Sequence, residues 1–512
     1  MVLYNNVSKF RVLRTKLDTE KAMQNYKALI LLFIFSLSTV SCFEDNDDIG
    51  VTANEINDFV WKGMNLFYLY KDDVPDLAND RFSSDGEYAS YLNRFTSPFD
   101  LFESLKYQPE TVDRFSKIFT DFIALEQLLD GVFITNGMEY QIFTFSLTDT
   151  NRYGIVTHVL PNSAAEAQGV KRGDIFYGID GIQLTGANGA QLIGQSSYTI
   201  NLGAYNDNGT PTDNTDDFID QTTESIALNK SQYSENPIFI NTVLNVDNKK
   251  IGYLMYNAFT SDYNAQLNSV FGDFKNANID DLVLDLRYNS GGSVASAFLL
   301  SSLITGQFEG DIISTEQWNS DFQDAFENED PELLINRFSN SYDGSPINNL
   351  GLSKVYILTT GISASASELV INSLLPYIDV VQIGTTTTGK YQASRIVYDS
   401  PNFSRQGANP GHTYALLPLI FKSLNANGVT DYFDGLEPDI VIGEQVRNLG
   451  VLGDQNEPLL AAAIADITGQ SGRFSEQKLS SSIQFTNSSK DYMPSQLGMY
   501  SNKELPSNLL KK

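Results

Sequence analysis

The chain has 512 residues, of which 42% are hydrophobic and 19% charged, which is typical of a globular protein of two or three domains. Its 34 basic and 63 acidic residues give a formal net charge of -29, which argues against nucleic-acid binding. One cysteine, Cys42, rules out a disulfide framework, and two histidines leave few candidates for the histidine of a catalytic triad.

The N-terminal segment 1–42 has the pattern of a signal peptide. A cationic start at Lys27 precedes an apolar run, residues 28–37, and small residues up to Cys42. The run is shorter than the ~20 residues of a membrane span. A cysteine at the cleavage site resembles a bacterial lipoprotein signal and implies lipidation of Cys42, the alternative being an ordinary signal with a chance cysteine. A further hypothesis is that Met23 is the true initiator.

The acidic run 44–48 follows this cysteine directly. It resembles the surface-display signal of Bacteroidetes-type lipoproteins, and a solvated tether is the alternative. The predicted location is therefore the cell envelope, with the chain lipid-anchored in the outer membrane, on its periplasmic side or at the cell surface.

Three segments in the next region, 43–130, carry apolar residues at helical spacing and predict helices. They are residues 55–70, 88–95 and 112–129. We interpret residues 43–130 as a tether followed by a helical N-terminal domain.

Residues 131–232 have a different pattern, with period-2 alternation in 153–160 and a short helix, 161–169, that ends at a glycine. This order resembles a circularly permuted PDZ domain, which implies binding of a peptide C-terminus by strand addition. The carboxylate-binding loop is expected near residues 137–140. The polar, acidic stretch 205–217 resembles a long loop inserted in the PDZ domain. Calcium binding is the alternative, but the spacing of its carboxylates does not match a complete calcium-binding motif.

From Lys249 onward, strands alternate with helices, which predicts a βαβ sheet over residues 249–470. The buried strand 282–286 ends in a polar turn with the glycine pair Gly291-Gly292, which allows backbone N–H groups to approach a substrate carbonyl. After Gly469 the chain is rich in Ser, Asn and Lys, so residues 471–512 are predicted to be a flexible tail.

The stretch 361–368, Gly-Ile-Ser-Ala-Ser-Ala-Ser-Glu, joins a predicted strand to a predicted helix. Such a junction can present a serine hydroxyl at a helix N-terminus, where the dipole favours developing negative charge. A plain helix start with an N-cap is the alternative. A nucleophilic serine needs a base, and a lysine can serve if burial keeps it neutral.

Together, the strand end 282–292, the serine stretch and Gly-Thr-Thr-Thr-Thr-Gly-Lys at 384–390 resemble the S41 family of serine peptidases, the C-terminal processing proteases. The resemblance implies that Ser365, the middle serine, is the nucleophile and that Lys390, 25 residues later, is the base. It implies oxyanion-hole N–H groups from Gly291 or Gly292 and Ala366, and no cofactor or metal. Arg287 is expected to brace the strand end.

Two positions depart from the family pattern. Some members have an aspartate in the helix after the nucleophile, where this chain has Pro376. Many members carry a glutamine four residues after the lysine, where this chain has Ser394, and Gln392 lies two residues after Lys390 instead. Gln392 and Ser394 are therefore candidates for orienting the lysine.

The predicted fold is a multi-domain α/β (α+β) protein with a helical N-terminal region, a PDZ-like β-rich domain and a ClpP/crotonase-like core. The predicted function is a serine endopeptidase acting on protein or peptide substrates, with no nucleic-acid partner and with membrane contact through the lipid. The alternative is a non-catalytic binding lipoprotein of the same PDZ/S41-like fold at the cell surface, but such a protein has no need for the Ser365/Lys390 spacing.

Overall fold

The computed structural model describes residues 53–210, 215–470, 483–492, 498–506 and 509–510. The predicted signal peptide, Met23, Cys42 and the acidic run after it lie outside the described residues. Among the described residues, no helix is both long enough and apolar enough to span a bilayer.

The N-terminal region is mainly helical, as its periodicity predicts. Phe59, Val60, Met64 and Phe67 of the first helix are buried, which fits an amphipathic helix packed on a core. The elements of this region are α1 (Ala53–Phe67), α2 (Asp85–Leu92), α3 (Pro98–Ser104), β1 (Lys117–Phe119) and α4 (Phe122–Leu129).

The predicted helix 112–129 is wrong in its first half. Asp113 Oδ1 accepts the N–H groups of Phe115 and Ser116, which turns the chain away from a helix. The strand β1 follows, and Asp121 then caps α4 by accepting the N–H groups of Ile123 and Ala124.

The second region is built on an antiparallel sheet with the strand order β3-β4-β5-β7-β8, while β6 pairs with β5 and β2 pairs with β9. The elements are β2 (Val132–Thr135), β3 (Met138–Thr144), β4 (Tyr153–Val159), α5 (Ala164–Ala167), β5 (Ile175–Ile179), β6 (Ile182–Gln183), α6 (Gly189–Gly194), β7 (Ser197–Asn206), β8 (Phe218–Asn229) and β9 (Ser231–Ser234).

The third region contains a six-stranded sheet of order β10-β11-β12-β17-β18-β23, parallel except for the β10–β11 pair. A second sheet has the order β14-β13-β22-β19, and β1 joins β21 and β20 in a third. The strands are β10 (Ile238–Val246), β11 (Lys249–Tyr256), β12 (Asp281–Asp285), β13 (Ile312–Trp318), β14 (Ile335–Arg337), β15 (Ser341–Tyr342), β16 (Ser345–Pro346), β17 (Lys354–Thr359), β18 (Asp379–Gly384), β19 (Gln392–Ser394), β20 (Val397–Tyr398), β21 (Ala415–Leu417), β22 (Leu419–Leu424) and β23 (Ile440–Val441). The helices are α7 (Asn264–Ala277), α8 (Val294–Ile304), α9 (Ser320–Glu329), α10 (Ala366–Leu374) and α11 (Pro458–Ile467).

The core of the third region lies against the six-stranded sheet. Leu459 and Leu460 of α11 pack in one buried cluster with Val283 of β12 and Tyr356 of β17. Helices α8 and α10, which follow the strands β12 and β17, pack against each other. The predicted mixed α/β, multi-domain architecture is confirmed.

A buried ion cluster fixes the end of β12, as predicted for Arg287. The Arg287 guanidinium is fully buried and donates to both oxygens of Glu457, at 2.6 and 2.9 Å, and to Asp285 at 2.9 Å. Arg172 of the second region reaches the same cluster, donating to Glu444 at 2.9 Å and to the Tyr288 hydroxyl at 2.7 Å. The second region is thereby tied to the strand end beside the glycine pair.

The C-terminal tail differs from the flexible segment that its composition predicts. Residues Gln484–Ser488 form a strand, β24, that pairs antiparallel with β3 at the edge of the second-region sheet. Tyr500 forms bridges to Ser293 and to Ser394 in the third region. These parts of the tail form hydrogen bonds with the unpaired backbone groups of exposed strand edges, and this pairing orders them.

Candidate active site

The serine stretch lies between the end of β17 and the start of α10, where the sequence predicts a strand-to-helix junction. Ser365 is the residue before α10 and has a φ of 65° and a ψ of -109°. A non-glycine residue at positive φ costs about 1–3 kcal/mol and persists only where its surroundings hold it.

The three serines of this junction have different contacts. The hydroxyl of Ser363 donates to the carbonyl of Leu286 at 2.8 Å, and that of Ser367 donates to the carbonyl of Asn289 at 3.0 Å. Both therefore fasten the junction to the end of β12. The Ser365 Oγ instead accepts the N–H of Met499 from the C-terminal tail. Among the three, Ser365 is the hydroxyl that contacts the backbone of the tail.

Glu368 holds the backbone on both sides of the candidate site. Its carboxylate is fully buried and accepts the N–H of Ser365 at 2.6 Å, of Gly389 at 2.6 Å and of Lys390 at 2.8 Å. The Thr387 hydroxyl donates to it as well. Burial raises the pKa of Glu368, and the hydrogen bonds from Thr387 and from the backbone oppose this rise. One carboxylate oxygen thus positions the backbone of both Ser365 and Lys390.

Glu368 is not among the functional residues predicted from the sequence. The signal that points to it is a serine at an N-cap followed three residues later by a glutamate, which is the pattern of a capping box.

Lys390 is buried, with 1% of its surface exposed. Burial lowers the pKa of Lys390 to about 7, and the positive charge of Lys117 acts in the same direction, while Asp113 and Glu368 oppose it. The Phe115 ring centre lies 4.9 Å from the Lys390 ammonium nitrogen. The N-terminal region therefore forms part of the wall that keeps water from this lysine.

The loop that carries Lys390 is also attached to the N-terminal region. The Arg114 guanidinium donates to the carbonyl oxygens of Thr388 at 3.3 Å, Gly389 at 3.0 Å and Phe433 at 3.1 Å. These contacts position the chain directly before the lysine.

The two residues considered for orienting Lys390 have other contacts. The side-chain amide of Gln392 donates to the Tyr70 hydroxyl at 2.8 Å. The Ser394 hydroxyl is buried, with no hydrogen-bond partner in the described part of the chain, and the Ser394 backbone pairs with the tail. The structure thus brings both residues near the site without directing either side chain to the lysine.

The glycine pair lies beside Ser365. Gly291 has a φ of 114°, and a Cβ at this position would lie 2.9 Å from the Ser365 Cβ, so only glycine allows this approach. The Gly291 N–H, however, donates to Asn289 Oδ1 at 2.8 Å. This N–H is used within the turn, which differs from the predicted oxyanion role. The other two predicted oxyanion-hole donors, the N–H groups of Gly292 and Ala366, are not involved in this hydrogen bond.

A cavity of about 410 Å³ adjoins these residues, lined by Ser290, Thr360, Ile362 and Lys390 and by Phe485 and Gly498 of the tail. Within the described residues, no cluster of His, Cys, Asp and Glu has the arrangement of a metal site. The arrangement consists of a strained serine, a buried lysine with a lowered pKa and nearby backbone donors, which suits nucleophilic attack on a carbonyl.

Two family models match the chain. Residues 250–442 match the model described as Peptidase family S41, and residues 55–117 match the Peptidase S41 N-terminal domain. The chain belongs to peptidase family S41. The first match contains Ser365, Glu368 and Lys390, and the second contains Phe115 and Arg114.

Individual relatives agree with this S41 assignment. A carboxyl-terminal-processing protease of Picosynechococcus sp. is 26% identical over 314 residues, which are 60% of this chain and 65% of the relative. The match thus spans slightly less than two thirds of that relative. A crystal structure of a Bacteroides fragilis NCTC 9343 protein described as an S41 protease has a TM-score of 0.61 and 25% identity, covering 80% of this chain and 97% of its own. The predicted family resemblance is confirmed.

Proposed function

We propose that this S41 chain is a serine endopeptidase that hydrolyses peptide bonds in protein or peptide substrates through Ser365 and Lys390. The observation that carries the proposal is the shared attachment of both residues to Glu368, in a pocket where burial lowers the pKa of Lys390 to about 7. A lysine with that pKa is partly neutral at physiological pH and can accept a proton.

In the proposed mechanism, Ser365 Oγ attacks the substrate carbonyl carbon and Lys390 Nζ takes the serine proton. The negative charge on the carbonyl oxygen is stabilised by the backbone N–H groups of Gly292 and Ala366. Lys390 then gives its proton to the leaving amine, and water hydrolyses the resulting acyl-enzyme ester. The mechanism requires no cofactor.

The pH dependence of casein hydrolysis tests this proposal. The neutral form of Lys390 is the base, so kcat/KM is expected to rise about tenfold per pH unit below a pH of about 7 and to level off above it. The measurement is initial rates of the purified chain between pH 5 and 9. A profile that is flat over this range, or no turnover at any pH, would contradict the proposed role of the lysine.

We also propose that the second-region sheet binds substrate C-termini in the manner of a PDZ domain, at the edge of β3. What supports this is that β3 is an edge strand of its own region, to which a further strand can add by backbone pairing. A peptide with a free C-terminal carboxylate is expected to bind more tightly than its amide in a fluorescence anisotropy titration. Equal affinities would count against a carboxylate-binding loop.

A third proposal concerns location. We propose that a lipid on Cys42 anchors the chain in the outer membrane, because the cysteine follows an apolar run of signal-peptide length. The substitution Cys42→Ser is expected to move the protein from the membrane fraction to the soluble fraction of lysed cells. Retention in the membrane fraction would argue against the lipid anchor.

A further inference from the structure

The C-terminal tail is paired with the second-region sheet at the edge where a substrate peptide would add. Strand β24 runs antiparallel to β3, with Gln484 opposite Thr144 and Ser488 opposite Gln141. Directly after it, the Ser489 hydroxyl donates to the buried carboxylate of Glu139 at 2.6 Å.

Lys490 contributes a charged contact at the same place. Its ammonium group lies 3.5 Å from Glu139, and both side chains are at least nine-tenths buried. If the tail moved away, the buried carboxylate of Glu139 would lose its positively charged partner, which is energetically unfavourable. The ion pair therefore holds this segment at one position on the sheet.

The tail then enters the third region as an extended segment between two backbone edges. On one side, the Tyr500 N–H donates to the Gly292 carbonyl at 3.0 Å, and the Val294 N–H donates to the Tyr500 carbonyl at 3.1 Å. On the other side, the Ser394 N–H donates to the Met499 carbonyl at 3.0 Å, and the Ser501 N–H donates to the Ser394 carbonyl at 2.9 Å. This two-sided pairing is how an extended polypeptide is held for cleavage.

The peptide bond that reaches the nucleophile is Gly498–Met499. The Met499 N–H donates to Ser365 Oγ, and the Gly498 carbonyl carbon lies 3.1 Å from the position of a Cβ on Gly291. Gly498 has a φ of 61°, and a Cβ there would clash with the Lys390 ammonium nitrogen. Glycine is therefore the residue that allows the chain to pass this close to the lysine.

We propose that the C-terminal tail is an intramolecular substrate of this active site, cleaved by Ser365 between Gly498 and Met499. The proposal rests on the peptidase function proposed above and names one substrate for it. Until the bond is cut, the tail occupies the approach to Ser365, so the uncut chain excludes other polypeptides from the nucleophile.

The reaction balances with water as the co-reactant. Ser365 Oγ bonds to the Gly498 carbonyl carbon while its proton passes to Lys390 Nζ. The bond from the Gly498 carbonyl carbon to the Met499 nitrogen then breaks, that nitrogen takes the proton, and the peptide Met499–Lys512 leaves. Water hydrolyses the ester on Gly498, which restores the Ser365 hydroxyl and leaves a chain that ends in a Gly498 carboxylate.

The test is the intact mass of the purified chain during incubation at pH 8, beside Ser365→Ala. The parent is expected to lose Met499–Lys512, and the variant is expected to keep its full C-terminus. The half-time of the loss is expected to be independent of chain concentration. A half-time that shortens in proportion to concentration, or loss of the tail from the variant as well, would overturn cleavage within one molecule by Ser365.

Three further variants sharpen the test. Gly498→Val is expected to slow the loss about a hundredfold, because the added side chain displaces the bond from Lys390. Asn502→Ala, at an exposed tail position, is the matched control and is expected to be processed like the parent. Tyr500→Pro removes the N–H that pairs with Gly292 and is expected to release the uncut tail.

Casein hydrolysis by the same proteins separates the two proposals. If the parent keeps its tail while the parent or Tyr500→Pro hydrolyses casein, self-cleavage is refuted and the proposed peptidase function is supported. If neither protein loses its tail nor hydrolyses casein, both proposals are refuted.

Discussion

Substituting Ser365 by alanine is expected to lower kcat/KM for casein about 10⁶-fold, and Lys390→Met is expected to have an effect of similar size. In the proposed mechanism, Ser365 supplies the atom that attacks, and Lys390 accepts its proton from inside a buried pocket. Methionine keeps the length and packing of the lysine stem and removes the amine, so the fold is expected to survive this change.

In the proposed mechanism the serine and the lysine act as one unit, so the double variant is expected to be no worse than either single variant. Lys275→Met, at an exposed position of α7, is the control for replacing any lysine and is expected to keep parental activity. Initial rates with labelled casein are measured for the parent and all four variants. Activity within tenfold of the parent in either single variant would remove that residue from the mechanism.

The second large effect is expected for Glu368→Gln, which is expected to lower kcat about 10²-fold and the free energy of unfolding by about 3 kcal/mol. The carboxylate accepts the backbone N–H groups of Ser365, Gly389 and Lys390. An amide has one oxygen acceptor, and its NH₂ group faces these N–H donors, so buried N–H groups lose their partner and both Ser365 and Lys390 shift.

Glu437→Gln, an exposed change of the same type, is the matched control. Thermal unfolding and casein kinetics are measured on both variants. A positioning role predicts a fall in kcat with little change in KM at a temperature where Glu368→Gln remains folded. A variant that loses stability but keeps the parental kcat would show that Glu368 supports the fold alone.

The parts of the fold that could be predicted from the sequence depend on local patterns. The strand before Ser365 and the helix after it are short-range features, and residue type and periodicity are sufficient to find them. The pairing of Ser365 with Lys390 is implied by the resemblance to the S41 family. The βαβ core follows from the same patterns.

The parts that were missed depend on partners far away in the sequence. Strand β1 forms because β21, almost 300 residues later, offers it an edge, and the tail forms β24 because β3 offers another. The local sequence predicts a helix for the first segment and a flexible chain for the second, because it contains no information about a strand edge elsewhere in the fold. The contact of Gly291 with Asn289 likewise depends on the conformation of one turn, which no residue pattern specifies.

The wall that Phe115 forms beside Lys390 has a thermodynamic consequence: docking of the N-terminal region and loss of the lysine proton are linked equilibria. If that wall moves away and water returns, the pKa moves from about 7 back toward the ordinary value of a lysine. At pH 7 the neutral fraction of Lys390 then falls from about one half to less than about one in a thousand. The protonation state of Lys390 therefore depends on how the N-terminal region packs against the third region, and any ligand that shifts this contact also changes the neutral fraction of the lysine.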